Sequence, residues 1–260
     1  MSADPPSFVS QNLDRIRAAQ GPVHAIGTDY PPGIRIERHS HDRHQLLHAL
    51  SGVVLVATDA GRWIVPPELA LWIPAGCEHS VDMLGPVRMR SVYVRPGDIG
   101  PQAPTPKVLE MTPLVRALVV DAVALSGTPH GPRHRLVADL LLQDIPRLPE
   151  QPLALPLPAD PRLLRLCRDF LAAPDARTPL DQWADRAGMS RRSLSRHFRQ
   201  ETGLGLDRWR QQACVFAALP RLIAGETVTT VALDLGYESP AAFTTMFRRM
   251  LGRSPRAYRP

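Results

Sequence analysis

The chain has 260 residues, of which 44% are hydrophobic and 22% are charged, and this ordinary globular composition excludes wholesale disorder. It carries 31 basic and 25 acidic residues, for a net charge of +6, and Lys107 is the one lysine among the cations. Residues 161–260 hold 17 basic and 9 acidic residues, whereas residues 1–160 hold 14 and 16. This asymmetry predicts two domains with different partners, the basic one suited to nucleic acid, an anionic membrane or an acidic ligand.

Several classes of protein are excluded by what the sequence lacks. No run of about 18 apolar residues occurs, so we expect no transmembrane helix and no membrane partner. Residues 1–6 lack the apolar core of a signal peptide. The three cysteines, Cys77, Cys167 and Cys214, are far apart, which predicts a fold without disulfides in the reducing cytoplasm. Walker-type phosphate loops and G-x-S-x-G elbows are absent too.

In chain order, residues 22–94 are predicted to form short strands separated by turns. The candidate strands lie at residues 44–58, with a break at Ser51 and Gly52, and at residues 62–65, 69–73, 79–83 and 88–94. Closely spaced strands of this kind are typical of an all-β sandwich or barrel.

Residues 107–160 differ in character from the strand-rich region. Thr112, followed by proline, predicts the N-cap of a helix over residues 113–125. A second helix, over residues 132–145, has arginines on one face and three leucines on the other: Leu136, Leu140 and Leu141. Repeated prolines predict an extended linker over residues 146–158. The helix pair either packs against the β-domain or forms a dimerisation hairpin.

Beyond Asp160 and Pro161, a further N-cap pair, the chain is predicted to be helical to its end. The predicted helices cover residues 161–173, 180–187, 191–202, 207–224, 228–235 and 239–251. Tight turns at Gly188 and Gly236 give two copies of a helix-turn-helix, a motif whose second helix enters the major groove of DNA.

The second helix of the first copy has the chemistry of a base-reading element. Ser190 is its predicted N-cap, and Leu194 and Phe198, four residues apart, face the core. The outer face then carries Arg191, Arg192, Ser195, Arg196 and Arg199. Arginine binds guanine O6 and N7 together, or grips phosphate, so this face predicts DNA contact. The alternative is a solvated basic helix face.

The second copy is chemically different. Ser239 is the predicted N-cap, with Phe243 and Phe247 buried. Its outward candidates for DNA contact are small or hydroxylic, followed by arginines suited to phosphate: Ala241, Ala242, Thr244, Thr245, Arg248 and Arg249. Small groups discriminate bases weakly, so the first copy should carry more specificity. The connecting helix of about 18 residues is ~27 Å long, which suits two successive major-groove segments.

Three stretches, residues 188–203, 233–249 and 252–259, resemble the DNA-binding domain of the AraC/XylS family of bacterial transcription regulators. The resemblance covers residues 161–260. Leu206 stands where the family usually has proline, and Pro220 lies inside the connecting helix. The resemblance implies double-stranded DNA as a partner, and RNA polymerase if the regulator is an activator; activator and repressor both stay open.

Six of the nine histidines lie between His24 and His79. The spacing Gly33-x5-His39-x-His41-x3-Gln45-x6-Gly52, followed by Pro74-x-Gly76-x2-His79, resembles the two cupin motifs, with glutamine at the usual glutamate position. Pieces of this region also resemble a NimR-like subgroup that includes a regulator of nitroimidazole efflux. The resemblance implies a cupin barrel as the sensor domain.

His39, His41, Gln45 and His79 could together bind Zn²⁺, Ni²⁺ or Fe²⁺. Alternate strand residues point to one side, so His39 and His41 are expected to share a face. Glutamine is a poorer ligand than glutamate, and a polar pocket for an organic ligand is the alternative. Two further histidines should lie elsewhere or at the rim: His44 and His48.

Together these features predict an α+β protein. A cupin-like effector-sensing β-barrel (residues 1–106) precedes a helical linker that could supply a homodimer contact (107–160) and an AraC-type domain with two helix-turn-helix motifs (161–260). The predicted function is a sequence-specific transcriptional regulator that senses a small molecule or metal and controls an adjacent efflux gene. The competing hypothesis is a metal-dependent cupin dioxygenase or isomerase with a DNA-binding tail. An architectural DNA protein is disfavoured because it needs no ligand barrel.

Overall fold

The computed structural model describes residues 5–126, 128, 131–151 and 154–259, with the backbone alone for residues 5–10. Residues 1–4 of the N-terminal segment and residues 152–153 of the predicted linker lie outside the described residues. The chain divides into two compact units, Met1–Ala154 and Leu155–Pro260. We call them the sensor unit and the DNA-binding unit.

The sensor unit is built on an antiparallel sheet. After helix α1 (Pro5–Ala18) its strands are β1 (Val23–Tyr30), β2 (Arg35–His39), β3 (His44–Thr58), β4 (Gly61–Val65), β5 (Leu69–Ile73), β6 (His79–Val94), β7 (Lys107–Glu110) and β8 (Glu150–Gln151). A last strand, β9 (Ala154–Pro156), begins at the final residue of this unit. The sheet order is β1-β6-β3-β5-β7-β8, with β2 paired to β6 and β4 paired to β3. The prediction of a strand-rich N-terminal domain is confirmed, whereas α1 and the four-residue β7 were not predicted. The prediction that proline keeps residues 146–158 out of the sheet is wrong in part, because β8 pairs with β7 and β9 pairs with β4.

The long central pair β3–β6 corrects two predictions. The predicted break at Ser51 and Gly52 is instead a bulge within one strand, and the two predicted strands at 79–83 and 88–94 are a single strand. Gly52 has φ +82°, and a Cβ at this position would lie 2.2 Å from the Pro86 carbonyl oxygen. Glycine therefore permits both the left-handed backbone and the close approach, so the strand bends rather than ends.

Helices α2 (Pro113–Leu125) and α3 (Pro132–Asp144) contribute to the core of the sensor unit. Val119 and Leu141 are fully buried in the same apolar cluster as Leu46 of β3. This confirms the packing role proposed for the helix pair. The predicted leucine face is wrong in part, because Leu136 and Leu140 are 64% and 43% exposed and it is Leu141 that faces inward.

A buried polar contact joins β3 to α2. His48 is fully buried, and its Nδ1 donates to the Leu69 carbonyl oxygen at 2.9 Å. Arg116 of α2 places Nη1 3.3 Å from His48 Nε2 and donates through Nη2 to the Pro67 carbonyl oxygen at 2.6 Å. Burial, more than the adjacent Arg116 charge, lowers the pKa of His48 to about 4.

The DNA-binding unit is helical. It contains α4 (Pro161–Ala172), α5 (Leu180–Ala187), α6 (Arg191–Thr202), α7 (Leu206–Ile223), α8 (Val228–Asp234) and α9 (Pro240–Leu251). These bounds match the predicted helices to within one residue at each end, and Pro220 lies inside α7 near its end. Across the described residues, no helix is both long and apolar enough to cross a membrane.

Candidate nucleic-acid interface and metal centre

The first helix-turn-helix is fixed by local backbone chemistry. Gly188, at φ +65°, ends α5 and donates its N–H to the carbonyls of Ala184 and Asp185. Ser190 then caps α6, where its hydroxyl accepts from the Ser193 backbone N–H at 3.2 Å. The left-handed glycine and the serine cap therefore fix where α5 ends and where α6 begins.

Helix α6 has one packed face and one basic face. Leu194 and Phe198 are fully buried, as predicted. The structure brings the predicted DNA-binding residues of this helix together as exposed side chains: Arg191, Arg192, Ser195, Arg196 and Arg199. Arg191 forms an ion pair with Asp181 of α5. Within the described residues the other three arginines of this face make no ion pair, so their guanidinium groups are available to an external anion.

The second copy has the same architecture with a weaker electrostatic surface. The Ser239 hydroxyl caps α9 by accepting from the Ala242 N–H at 3.2 Å. Phe243 and Phe247 are fully buried. The outward candidates lie on the opposite side, where Ala241, Ala242, Thr245, Arg248 and Arg249 are exposed and Thr244 is half-buried. Arg249 donates to Gln211 Oε1 at 2.7 Å and is therefore partly engaged within the unit.

A buried arginine in α7 was not predicted. Arg210 is 8% exposed and donates Nη2 to the carbonyls of Ala176 and Thr178, at 3.1 and 2.6 Å. Its guanidinium carbon lies 5.5 Å from the ring centroid of Phe170 and 5.7 Å from that of Trp183. Arg210 thus stabilises the loop before α5 from within the core. The sequence gave no signal for this role, because the residues that Arg210 contacts are distant from it along the chain.

In the sensor unit, three of the predicted ligands converge. His39 ends β2, His41 follows it, and His79 begins β6. One ligand atom from each of these histidines lies within 4.8 Å of the others. The expectation that His39 and His41 share a strand face is wrong, because β2 ends at His39, yet the loop after the strand still returns His41 to the cluster.

The backbone orients all three imidazole rings. Their Nδ1 atoms lie at hydrogen-bond distance from carbonyl oxygens, 2.9 Å for His39 with Glu37, 2.6 Å for His41 with Arg43 and 2.9 Å for His79 with Cys77. A proton on Nδ1 leaves Nε2 as the lone-pair atom, which is how proteins preorganise histidine for metal. Among the described side chains, the buried Nε2 of His79 has no hydrogen-bond partner. The three rings therefore fit a divalent metal.

Gln45 of β3 lies beside the cluster but is already engaged. Its Oε1 is 3.0 Å from His41 Nε2, and its Nε2 donates to Ser91 Oγ at 2.9 Å and to Tyr93 Oη at 3.1 Å. Because an amide oxygen only accepts, this contact needs a proton on His41 Nε2, so a metal there requires that proton to leave and the amide to turn away. The two hydroxyl partners were not predicted, since they lie 46 and 48 residues further along the chain.

Burial favours the neutral form of two of the three rings, those of His39 and His79. Burial lowers the pKa of His39, and burial followed by the neighbouring His39 lowers that of His79 to about 3. Neutral imidazole is the form that binds metal. His44 and His48 lie elsewhere, as predicted, with His44 stacked on Trp72 at 5.1 Å between ring centroids.

Comparison with known proteins places both units. Residues 22–173 match the AraC-like ligand binding domain, and residues 183–260 match a helix-turn-helix domain. The chain is 34% identical over 221 residues to the HTH-type transcriptional regulator NimR of Escherichia coli K12, covering 85% of this chain and 81% of that protein. The regulatory protein SoxS of the same organism is 36% identical over 81 residues, which is 31% of this chain and 76% of SoxS.

Among solved structures, ToxT from Vibrio cholerae is similar over 92% of this chain and 98% of its own, with a TM-score of 0.38 and 7% identity. The family matches and the identity to NimR together decide the assignment. This chain is a member of the AraC family of transcriptional regulators, with an AraC-like ligand-binding domain followed by a helix-turn-helix DNA-binding domain.

Proposed function

We propose that α6 is the principal base-reading helix of this regulator and that α9 holds the neighbouring DNA segment. The observation that carries the proposal is the exposed face of Arg192, Arg196 and Arg199, opposite a fully packed face. Guanidinium groups free of internal ion pairs suit guanine edges and phosphates. On α9, Ala241 and Thr245 suit a thymine methyl or a phosphate, so this helix contributes less discrimination.

The test uses a double-stranded site found by mapping the regulator along its chromosome. The family resemblance leads us to expect such a site beside an efflux gene. Arg196→Ala should weaken binding by about 1–3 kcal/mol and relax the preference at one base pair. Arg168→Ala removes an equal charge from an exposed position on α4 and should change affinity much less. Wild-type affinity and preference in Arg196→Ala would contradict the role given to α6.

We infer that the effector of the sensor unit is a divalent transition metal, zinc, nickel or iron, held by Nε2 of His39, His41 and His79. The buried Nε2 of His79 supports this inference, as do the backbone anchors on all three rings. When bound, the ion would supply positive charge and a cross-link between β2 and β6. A polar organic ligand in the same barrel is the competing occupant.

Metal content of the purified regulator tests this proposal. After exposure to Zn²⁺, Ni²⁺ or Fe²⁺ and removal of excess, the wild type should retain about one ion, and His79→Gln should retain none. Gln45→Glu supplies a carboxylate and should raise affinity about tenfold. His134→Gln, in α3 and away from the cluster, serves as the control. A wild type that retains none of the three metals would leave the organic ligand as the occupant.

We propose that the sensor unit binds its effector without turning it over. The hydroxyls that contact Gln45 belong to Ser91 and Tyr93, and burial raises the pKa of Tyr93, so its phenol stays protonated at neutral pH. A protonated phenol is no general base. The metal-dependent dioxygenase or isomerase would instead require the metal-loaded protein to consume oxygen or convert a substrate, which an oxygen electrode and product analysis would detect.

We also propose a homodimer formed through α2 and α3. Four large apolar side chains of these helices stay exposed in the single chain: Leu114 (52%), Val120 (42%), Leu136 (64%) and Leu140 (43%). Exposed apolar groups on neighbouring helices suit a second copy of the same surface. Analytical ultracentrifugation of the full chain tests for the dimer. Contact with RNA polymerase is proposed only for promoters that the regulator activates.

A further inference from the structure

The chain enters the DNA-binding unit through residues 155–160, which we call the entry segment. Three of its residues are hydrogen-bonded to α6 or α7. The Pro156 carbonyl oxygen accepts from Trp209 Nε1 at 2.7 Å. The backbone N–H groups of Ala159 and Asp160 both donate to Glu201 Oε2, at 2.8 and 3.2 Å. A carboxylate that accepts two backbone N–H groups holds a chain segment more tightly than neutral contacts do.

The Asp160 side chain adds a further contact. Its Oδ2 accepts from His197 Nε2 at 3.0 Å, and its Oδ1 caps α4 by accepting from the Arg162 N–H at 2.8 Å. The side chain of Arg162 lies against the same carboxylate and, with the Arg162 N–H and His197, holds the pKa of Asp160 well below its usual range. The carboxylate is therefore charged whenever the regulator is folded at neutral pH.

His197 and Glu201 lie on the side of α6 that faces away from the DNA surface. At about 100° per residue, their stripe lies roughly 180° around the helix from the centre of the arginine face. Phe198, on the packed face of α6, meets Trp209 edge to face at 5.9 Å between ring centroids. Trp209 is fully buried and bonded to Pro156. The entry segment thus contacts α6 on the side away from the arginine face, both directly and through Trp209.

We propose that the entry segment is a latch, and that Glu201 and His197 are positioning residues through which the chain arriving from the sensor unit sets the position of α6 on DNA. Any displacement of residues 155–160 must either break the hydrogen bonds to Glu201 or move α6. By linkage, DNA that orders α6 must strengthen those bonds equally. The proposal rests on the DNA-reading role of α6 given above.

The experiment uses the full chain and a double-stranded site selected by the wild type from random oligonucleotides. Hydrogen exchange of the Ala159 and Asp160 amides should slow at least threefold when DNA binds. Glu201→Ala should abolish that change and weaken DNA binding three- to tenfold, with footprint loss confined to the half-site contacted by α6. Glu201→Gln keeps one acceptor oxygen and should be intermediate. Gln200→Ala, an exposed neighbour on α6, is the control and should match the wild type.

A role in folding alone would lower the unfolding temperature and weaken both half-sites together, and that result would overturn the latch. Equal exchange of the two amides with and without DNA would overturn it too. Arg196→Ala, measured on the same DNA, separates the two proposals. If it weakens binding while Glu201→Ala does not, the latch alone fails. If neither variant weakens binding, α6 is not the reading helix.

Discussion

At the scale of single residues, burial decides whether an arginine of the DNA-binding unit is available to DNA or stabilises the fold. Within the described residues the exposed arginines of α6 other than Arg191 form no ion pair, whereas Arg210 is buried beside aromatic rings and donates to two backbone carbonyls. The same side chain can do either task because its planar group binds carbonyls, phosphates and ring faces. Sequence alone did not separate them, since burial depends on which distant rings surround the side chain.

Arg210→Met tests the structural task. Methionine has a similar length but no donor, so the carbonyls of Ala176 and Thr178 lose their partner in a partly buried setting. We expect the free energy of unfolding of the DNA-binding unit to fall by about 2–3 kcal/mol. Arg208→Met, on the exposed side of the same helix, should change it by about 0.5 kcal/mol at most. Urea unfolding measures both, and equal losses in the two variants would contradict the buried role.

At the scale of elements, local signals were sufficient for the helices and insufficient for the sheet. N-caps at Thr112, Ser190 and Ser239 and the 3.6-residue period placed helix ends to within a residue. Strand pairing joins residues far apart in sequence, and the same Ser-Gly pattern marks a turn or a bulge. The imidazole cluster was predicted from motif spacing, whereas the hydroxyl partners of Gln45 follow only from the pairing of β3 with β6.

The bulge in β3 gives a prediction at this scale. Gly52→Ala meets both the left-handed backbone and the Pro86 carbonyl, so we expect a loss of about 3 kcal/mol in the stability of the sensor unit. Gly33 has a similar φ of +77°, but a Cβ there would meet no atom within 4 Å. Gly33→Ala should therefore lose only about 1 kcal/mol, the cost of backbone strain. Thermal unfolding compares them, and equal losses would show that the close approach contributes nothing.

At the scale of the whole molecule, the two units differ in which kinds of side chain have a lowered pKa. In the sensor unit the pKa is lowered for buried histidines, among them His48, and for Asp98, which is paired with Arg95. In the DNA-binding unit they belong to carboxyls paired with arginine, such as Asp160 and Asp175. As the pH falls, the two units should therefore lose stability in different pH ranges.

Between pH 6.5 and about 4 the unfolded chain binds a proton at His48 that the folded sensor unit does not, because burial lowers the pKa of His48 to about 4 and Arg116 faces the same ring. Stability therefore falls as pH falls, by up to about 1.4 kcal/mol per pH unit from this group. Carboxyls with lowered pKa lose their contribution to stability only below about pH 4, where unfolded carboxyls protonate.

Calorimetry at pH 7 and pH 5 should show the unfolding temperature of the sensor unit falling, while that of the DNA-binding unit falls less. His48→Gln removes one of the titrating rings and should make the sensor response less steep; an unchanged slope in that variant would assign the response to other groups.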